Sequence, residues 1–206
     1  MVVTGEDELF IRPDEMGFRR RLIGVSAIRK FVFGDAIRDW NTSPVRSAIY
    51  EYDQQGRHNA AEVLDNYFWS YRALMRPSIF FGRTKEQRGM HWREYGVVVK
   101  DKLGVPEPIA FAEVATHNHF VRGADERIFD KTAPVIKLPA EATEDEHLGL
   151  LGLLNSSVAC FWLKQVCFPK GGDQVGGEGA RVRKTLWDER YAFNSTNVAD
   201  FPLIDT

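Results

Sequence analysis

The most regular hydrophobic pattern in the chain lies between residues 142 and 169. Leucine, valine and aromatic residues recur there at intervals of three and four, which is the spacing of one helix face. Thr143 and Glu146 precede this pattern and match a capping box, which satisfies free backbone N–H groups at a helix start. The run Asn155-Ser156-Ser157 interrupts it, because short polar side chains compete for backbone hydrogen bonds. We therefore predict two short helices that meet at a polar corner.

A second helical pattern runs from residue 59 to residue 75. Its apolar and aromatic residues fall on one face, and Pro77 ends it because proline cannot continue a helix. We expect this aromatic stripe to belong to a core rather than to a surface that stacks on bases. Upstream, residues 31–40 predict a strand, a turn at Gly34-Asp35 and a short helical piece.

The middle of the chain predicts β-structure. Short apolar runs bounded by Gly, Pro and Asp have the length of strands. They lie at residues 79–81, 95–99, 109–115, 120–122, 127–129 and 134–138, and residues 122–125 predict a hairpin turn. A helix, many strands and a helix pair in that order predict an α+β fold with a mixed or antiparallel sheet, rather than an alternating α/β fold.

Composition limits the possible classes of protein. The 206 residues can bury a full core, and 44% hydrophobic with 27% charged residues is ordinary for a globular protein. Without a long apolar run or a leader-like start, we expect a cytoplasmic protein with no membrane partner. Cys160 and Cys167, seven positions apart on a helix, would be about 10 Å apart, too far for a disulfide, so we expect two buried, reduced thiols.

The net charge of −2 gives no overall attraction to nucleic acid, so a nucleic-acid role would need a local basic surface. Several catalytic signatures are missing from the sequence. The glycine-rich run at 171–179 lacks the Lys-Ser/Thr of a phosphate-binding loop, and no dinucleotide fingerprint or nucleophile elbow is present. We expect this run to form a mobile loop.

The sequence His117-Asn118-His119 has two interpretations. Alternation along a strand would place Glu113, His117 and His119 on one face, where they could ligate a metal in a nuclease. Alternatively, these residues lie at a strand end and bind neighbouring loops or a ligand. The sequence alone leaves both interpretations open.

Basic residues cluster with aromatic residues in two loops, at 80–92 and 170–187. Arginine and lysine on flexible loops can follow a phosphate backbone, and Arg, Asn and His can reach base edges. A solvated surface is the alternative for each loop. The candidate DNA-contacting residues are Arg83, Lys85, Arg88, His117, Asn118, His119, Lys170, Arg181, Arg183 and Lys184.

Several segments together resemble a known family. Residues 151–164 (LGLLNSSVACFWLK) and 191–203 (YAFNSTNVADFPL) resemble the C-terminal target-recognition region of adenine-specific DNA methyltransferases. Residues 34–40 (GDAIRDW), 81–84 (FGRT), 109–120 (IAFAEVATHNHF) and 133–139 (APVIKLP) are similar to the phage-growth-limitation methyltransferases of BREX-type phage-exclusion systems.

This resemblance implies a specificity domain that grips duplex DNA opposite a catalytic domain that uses S-adenosylmethionine. It implies an N-terminal segment at 1–57 and a target-recognition domain at 58–206. The implied partners are duplex DNA, the catalytic methyltransferase domain and other phage-defence proteins. Asn155 and Trp162 would hold the loops in place.

One departure from the family concerns catalysis. The Asn/Asp-Pro-Pro-Tyr/Phe motif that holds a flipped adenine is missing, because no two of the nine prolines are adjacent. The glycine-rich cofactor motif is missing as well. We therefore expect no methyl transfer and no bound cofactor in this chain itself. A protein-interaction module that docks through residues 59–75 is the alternative function.

Overall fold

Two compact units make up the chain in its computed structural model. The structure describes residues 1–14, 18, 27–38, 40–53, 55–104, 106–123, 127–170, 174–175, 181–182 and 189–203. Unit 1 comprises residues 1–32, 44–106 and 124–131, and unit 2 comprises residues 33–43, 107–123 and 132–206. Both units draw on sequence from each side of residue 57, where we had placed the domain boundary.

Unit 1 is built on a four-stranded mixed sheet. Its strands, in spatial order, are Ile128–Phe129, Ile28–Val32, Arg46–Ile49 and Ile11–Arg12. The first pair is parallel and the other two pairs are antiparallel. Two further antiparallel pairs join Val2–Val3 to Val97–Val98 and Ile79–Phe80 to Arg83–Thr84.

The helices of unit 1 are short. Among its described residues, the α-helices are Asp7–Phe10, Asp65–Trp69 and Arg72–Met75, and the 3₁₀ turns are Glu62–Leu64, Glu86–Arg88 and Lys100–Lys102. Our prediction of one helix over 59–75 was therefore wrong. Ser70 Oγ donates to the carbonyl of Asn66, a back-bond that bends helices, and Tyr71 leaves helical geometry with φ −107° and ψ 3°.

Aromatic rings fill the core of unit 1. Phe10 lies 5.3 Å from Phe68 and 5.0 Å from Tyr95 between ring centroids. Phe68 and Tyr67 are buried, which confirms a core role for that part of the predicted stripe. Val63 and Leu74, at 60% and 62% exposure, face solvent instead.

Unit 2 combines small antiparallel sheets with the helix pair. A three-stranded sheet has the order Phe120–Arg122, Ile109–Phe111, Val135–Ile136. Three strand pairs join Val114–Ala115 to Tyr191–Ala192, Ile37–Arg38 to Asn41–Thr42, and Gln174–Val175 to Arg181–Val182. The helices are Glu144–Leu154, Ser157–Val166 and Ser195–Ala199, with a 3₁₀ turn at Gly34–Ala36. The α+β prediction is confirmed.

The predicted helix pair is confirmed in detail. Thr143 and Glu146 form the capping box, and Ser156 caps the second helix by accepting a hydrogen bond from the Ala159 N–H at 3.1 Å. Cys167 is buried and Cys160 is half-buried, and both are free thiols. No helix in the described part of the chain is long and apolar enough to cross a membrane.

The polar corner between these helices also fastens a strand. Asn155 Oδ1 accepts the Phe120 N–H at 3.0 Å, and Asn155 Nδ2 donates to the Phe120 carbonyl at 2.9 Å and to the Leu151 carbonyl at 3.1 Å. One amide side chain thus serves both backbone groups of a residue at the start of a strand. This strand–helix link explains why a helix-breaking polar residue occupies the corner.

A close backbone approach fixes another part of unit 2. A Cβ at Gly34 would lie 2.0 Å from the Thr132 carbonyl oxygen, which is far inside van der Waals contact. The Gly34 N–H also donates to Thr132 Oγ1 at 3.1 Å. Packing against Thr132 therefore requires glycine at position 34. The short helical piece predicted here is a single 3₁₀ turn.

Replacing Asn155 by Ala should lower the free energy of unfolding by about 2–4 kcal/mol, because both backbone groups of Phe120 lose their partner. Urea denaturation would measure this. Asn194→Ala is the matched control, since Asn194 supplies one N-cap bond to Asn197 and should cost about 1 kcal/mol. Equal losses in the two variants would contradict the bridging role of Asn155.

Candidate nucleic-acid interface

Unit 1 contains an open cleft with a volume of about 650 Å³. Cationic, histidine and aromatic side chains share its lining. The lining residues that matter chemically are Arg57, His58, Phe81, Arg88, His91 and Lys100. They come from stretches that are far apart in sequence, so only the fold brings them together.

A buried charge network holds the walls of this cleft. The Arg93 side chain is 2% exposed; Nη2 donates to Glu51 Oε1 at 2.7 Å, and Nη1 is paired with Asp65. The same Glu51 oxygen accepts the Ala61 N–H at 2.8 Å. The network therefore ties Glu51 and the segment before helix Asp65–Trp69 to the segment that carries His91.

Histidines and tyrosine form a ring cluster inside the cleft. His58 and His91 stack with centroids 5.1 Å apart, and Tyr52 meets His58 edge-on at 5.4 Å. Burial, reinforced by the neighbouring His58 and Arg93, lowers the pKa of His91, so its ring is uncharged at neutral pH. Burial also raises the pKa of Tyr52, which keeps its hydroxyl protonated. The inner surface is therefore largely aromatic, and arginine and lysine side chains lie at its rim.

Phe81 stands at the tip of a hairpin beside the cleft. The turn between strands Ile79–Phe80 and Arg83–Thr84 has two residues, with φ 55° at Phe81 and 76° at Gly82. Left-handed φ at both positions suits a type I′ turn, in which Asn and Gly are favoured and a bulky residue is strained. The Phe81 side chain is nevertheless 76% exposed, and the Arg88 guanidinium lies 5.4 Å from its ring centroid.

Two predicted residues of the first basic loop are exposed, and the third is not. Arg83 and Arg88 face solvent. Lys85 is buried, and its Nζ pairs with Glu6 Oε2 at 2.7 Å, with side-chain exposures of 2% and 9%. Because a phosphate cannot approach an ammonium group enclosed in this way, we withdraw Lys85 from the DNA-contacting set.

Unit 2 has a smaller cavity, of about 330 Å³, around the histidine pair. His117 is exposed, and its ring lies 4.1 Å from that of His119, which is buried. Asn118 is also buried, and its Nδ2 donates to the carbonyls of Leu154 at 2.6 Å and Ser156 at 3.3 Å. Asn118 therefore supports the helix corner rather than a base contact, and His117 is the exposed member of the three.

The metal interpretation gains no support from this geometry. The strand predicted over 109–115 is interrupted, and Glu113 lies between Ile109–Phe111 and Val114–Ala115, so the strand alternation assumed for Glu113, His117 and His119 does not hold. The backbone N–H of Glu113 donates to the Thr132 carbonyl, and its carbonyl accepts the Phe193 N–H. Within the described ranges, no group of three His, Cys, Asp or Glu residues could hold a metal ion.

The second basic loop is described only in part. Lys170 is exposed, and its N–H binds the Arg190 carbonyl at 2.6 Å. Arg181 contributes backbone to the strand pair with Gln174–Val175. Arg183, Lys184 and most of the glycine-rich run lie outside the described residues, as do residues 124 and 125 of the turn predicted at 122–125.

We did not predict Arg57, His58 and Lys100 as candidate site residues, because none of them lies in a basic loop. Arg57 is 71% exposed along its side chain and forms an i,i+4 pair with Asp53 at 2.8 Å. Its position in the cleft depends on the turn at Gly56, whose φ of 67° is left-handed. A glycine followed directly by an arginine was the one feature of the sequence that could have indicated a basic residue at a turn.

Lys85→Met should lower the free energy of unfolding by about 3–5 kcal/mol, because Glu6 would remain buried without its partner. The double variant Glu6→Gln/Lys85→Met should regain much of that loss. Lys137→Met, at an exposed lysine, is the control and should change it by no more than about 0.5 kcal/mol. Unchanged unfolding with weaker DNA binding in Lys85→Met would return Lys85 to the contact set.

Comparison with known proteins relates the chain to a methyltransferase. No family model matches the chain. The sequence is 43% identical over 190 residues to the adenine-specific methyltransferase PglX of Streptomyces coelicolor. The aligned region covers 90% of this chain but only 16% of that protein. The chain is thus similar in sequence to a limited segment of an adenine-specific methyltransferase.

Proposed function

We propose that this chain is a DNA-recognition part of an adenine-specific DNA methyltransferase that serves in phage defence. The observation that carries the proposal is the 43% identity to the Streptomyces coelicolor methyltransferase over nearly the whole chain. Recognition of duplex DNA requires access to the cell's DNA, which is consistent with our expectation of a cytoplasmic protein.

The surface of unit 1 supports this role. Arg83 and Arg88 flank the exposed Phe81 on one hairpin and the turn that follows it. Guanidinium groups form bidentate hydrogen bonds with phosphate and guanine, so this arrangement suits a nucleic-acid backbone and its bases. Because the net charge is −2, attraction to DNA would come from such local surfaces rather than from the whole chain.

Catalysis would belong to a separate domain. The residues of this chain do not fit S-adenosylmethionine, because the sequence has neither the glycine-rich cofactor motif nor the Pro-Pro motif that holds adenine. We therefore assign no step of methyl transfer to this chain. In the proposed arrangement its partners are duplex DNA and a catalytic methyltransferase domain, which binds the cofactor.

Exposed apolar side chains favour one alternative, a module that docks another protein of a defence complex. Val63, Trp69 and Leu74 are 60%, 56% and 62% exposed within the 59–75 segment. A contiguous patch of exposed apolar side chains can mark a contact between proteins, whereas single exposed residues are common on any surface. This alternative predicts no salt-dependent affinity for DNA.

Fluorescence anisotropy of a labelled random duplex at several salt concentrations tests the proposal. We expect binding whose affinity falls with salt on a log–log slope of several units, because each neutralised phosphate contributes about 0.9. Arg83→Gln should lower the magnitude of this slope by about 0.9 and weaken binding to all sequences alike.

Lys137→Gln removes an exposed charge that lies in neither basic loop, and it should leave the slope unchanged. Binding of the wild-type chain that is undetectable at low salt would overturn DNA recognition and favour the docking module. An unchanged slope in Arg83→Gln would remove Arg83 alone from the interface.

A further inference from the structure

We propose that the cleft of unit 1 binds one nucleotide of the contacted DNA, with its base stacked on Phe81 and its phosphate facing the cationic rim. This inference rests on the proposed function and adds a defined site and a mode of binding to it. In a duplex this requires the base to leave the helical stack, which costs free energy of unpairing and unstacking. Stacking of the extruded base on an aromatic ring tolerates any sequence, because every base has a π-face.

Phe81 has no evident structural reason to be a phenylalanine. Its ring is 76% exposed, so it contributes little burial to the core. Its backbone is left-handed, at φ 55°, where Asn or Gly would fit without strain. A strained backbone that carries an exposed ring is the arrangement found where a side chain serves a ligand.

Contacts around the ring hold it in place. Phe80 meets Phe81 edge-on, with centroids 4.8 Å apart, and the Arg88 guanidinium lies over the ring at 5.4 Å. Phe80 also fills the space next to Gly96, where an added Cβ would lie 2.9 Å from the Phe80 ring. The hairpin tip is therefore anchored beside the cleft rather than left loose in solvent.

The chemistry of the cleft matches the two parts of a nucleotide. Arg57, Arg88 and Lys100 supply positive charge among the lining residues, and phosphate is the group that such a rim attracts. The acid in this lining, Glu94, already accepts a hydrogen bond from the backbone N–H of His91 at 2.6 Å. The stacked rings of His58 and His91 offer flat surfaces and ring nitrogens to a base.

The size of the cleft is also suitable. Its volume of about 650 Å³ falls within the range of about 300–1,000 Å³ that small-ligand sites occupy. A nucleotide within a DNA strand and a free nucleotide share the same chemistry. The exposed Arg83 next to the hairpin tip extends the positive surface beyond the cleft, which favours a strand that continues past it.

The test compares Phe81→Gly, Phe81→Tyr and Arg88→Gln in the anisotropy assay with the random duplex. Phe81→Gly removes the ring and suits the left-handed turn, so it should fold with a melting temperature close to that of wild type. We expect its affinity to fall about tenfold or more, with an unchanged salt slope, because stacking is lost and phosphate contacts remain. Phe81→Tyr should keep wild-type affinity.

Arg88→Gln should instead reduce the salt slope. Phe161→Ala is the matched control, since Phe161 is also 70% exposed but lies in unit 2, outside the cleft. Its affinity should equal that of wild type. A loss in Phe161→Ala as large as in Phe81→Gly would overturn a specific role for Phe81.

Three further results would be decisive. Salt-dependent binding by wild type with equal affinity in Phe81→Gly would overturn this inference and leave the proposed function standing. No DNA binding by wild type would overturn both. Competition by free dAMP that depends on Phe81, without any effect of Phe81→Gly on duplex binding, would identify a free nucleotide as the ligand and overturn the DNA-strand assignment.

Discussion

The buried Arg93 guanidinium is the constraint on which the cleft depends. A charge with 2% exposure persists only when it is paired, and that pairing comes from Glu51 and Asp65, which lie 42 and 28 positions earlier in the chain. The flanking residues His91, Trp92, Glu94 and Tyr95 are placed by this link. Tyr95 adds to it, because its hydroxyl binds the Ile49 carbonyl and its N–H binds the Tyr52 hydroxyl.

Because the strands are short, side chains must form hydrogen bonds with backbone groups that no neighbouring strand satisfies. Most strands here have two residues, so few of their backbone groups find partners within a sheet. In unit 2, Asn155 satisfies both backbone groups of Phe120, and Asn118 binds two carbonyls of the helix corner. Polar side chains thus replace part of the hydrogen bonding that longer strands would provide.

Sequence reasoning succeeded where structure is local. The helix pair followed from spacing and from the capping box at Thr143, both of which act within a few residues. It failed where distant partners decide. Lys85 looked like a surface cation because Glu6, its partner, lies 79 positions away. The prediction of one helix over 59–75 failed for a local reason instead, the bend at Ser70 and Tyr71, which the spacing of apolar residues does not show. The cleft could not be predicted from the sequence, because Arg57 and Lys100 come together only after folding.

The division into units has a consequence for how the chain is made. The chain passes between them after residues 32, 43, 106, 123 and 131. During synthesis, the mixed sheet of unit 1 cannot acquire its strand Ile128–Phe129 until well over half of the polypeptide has left the ribosome. Unit 2 is completed even later in synthesis, because the hairpin at 37–42 belongs to the same unit as elements near residue 190. Segments of each unit that are synthesised first must therefore avoid aggregation until the rest of the unit is made. Chaperones commonly protect such partly folded chains.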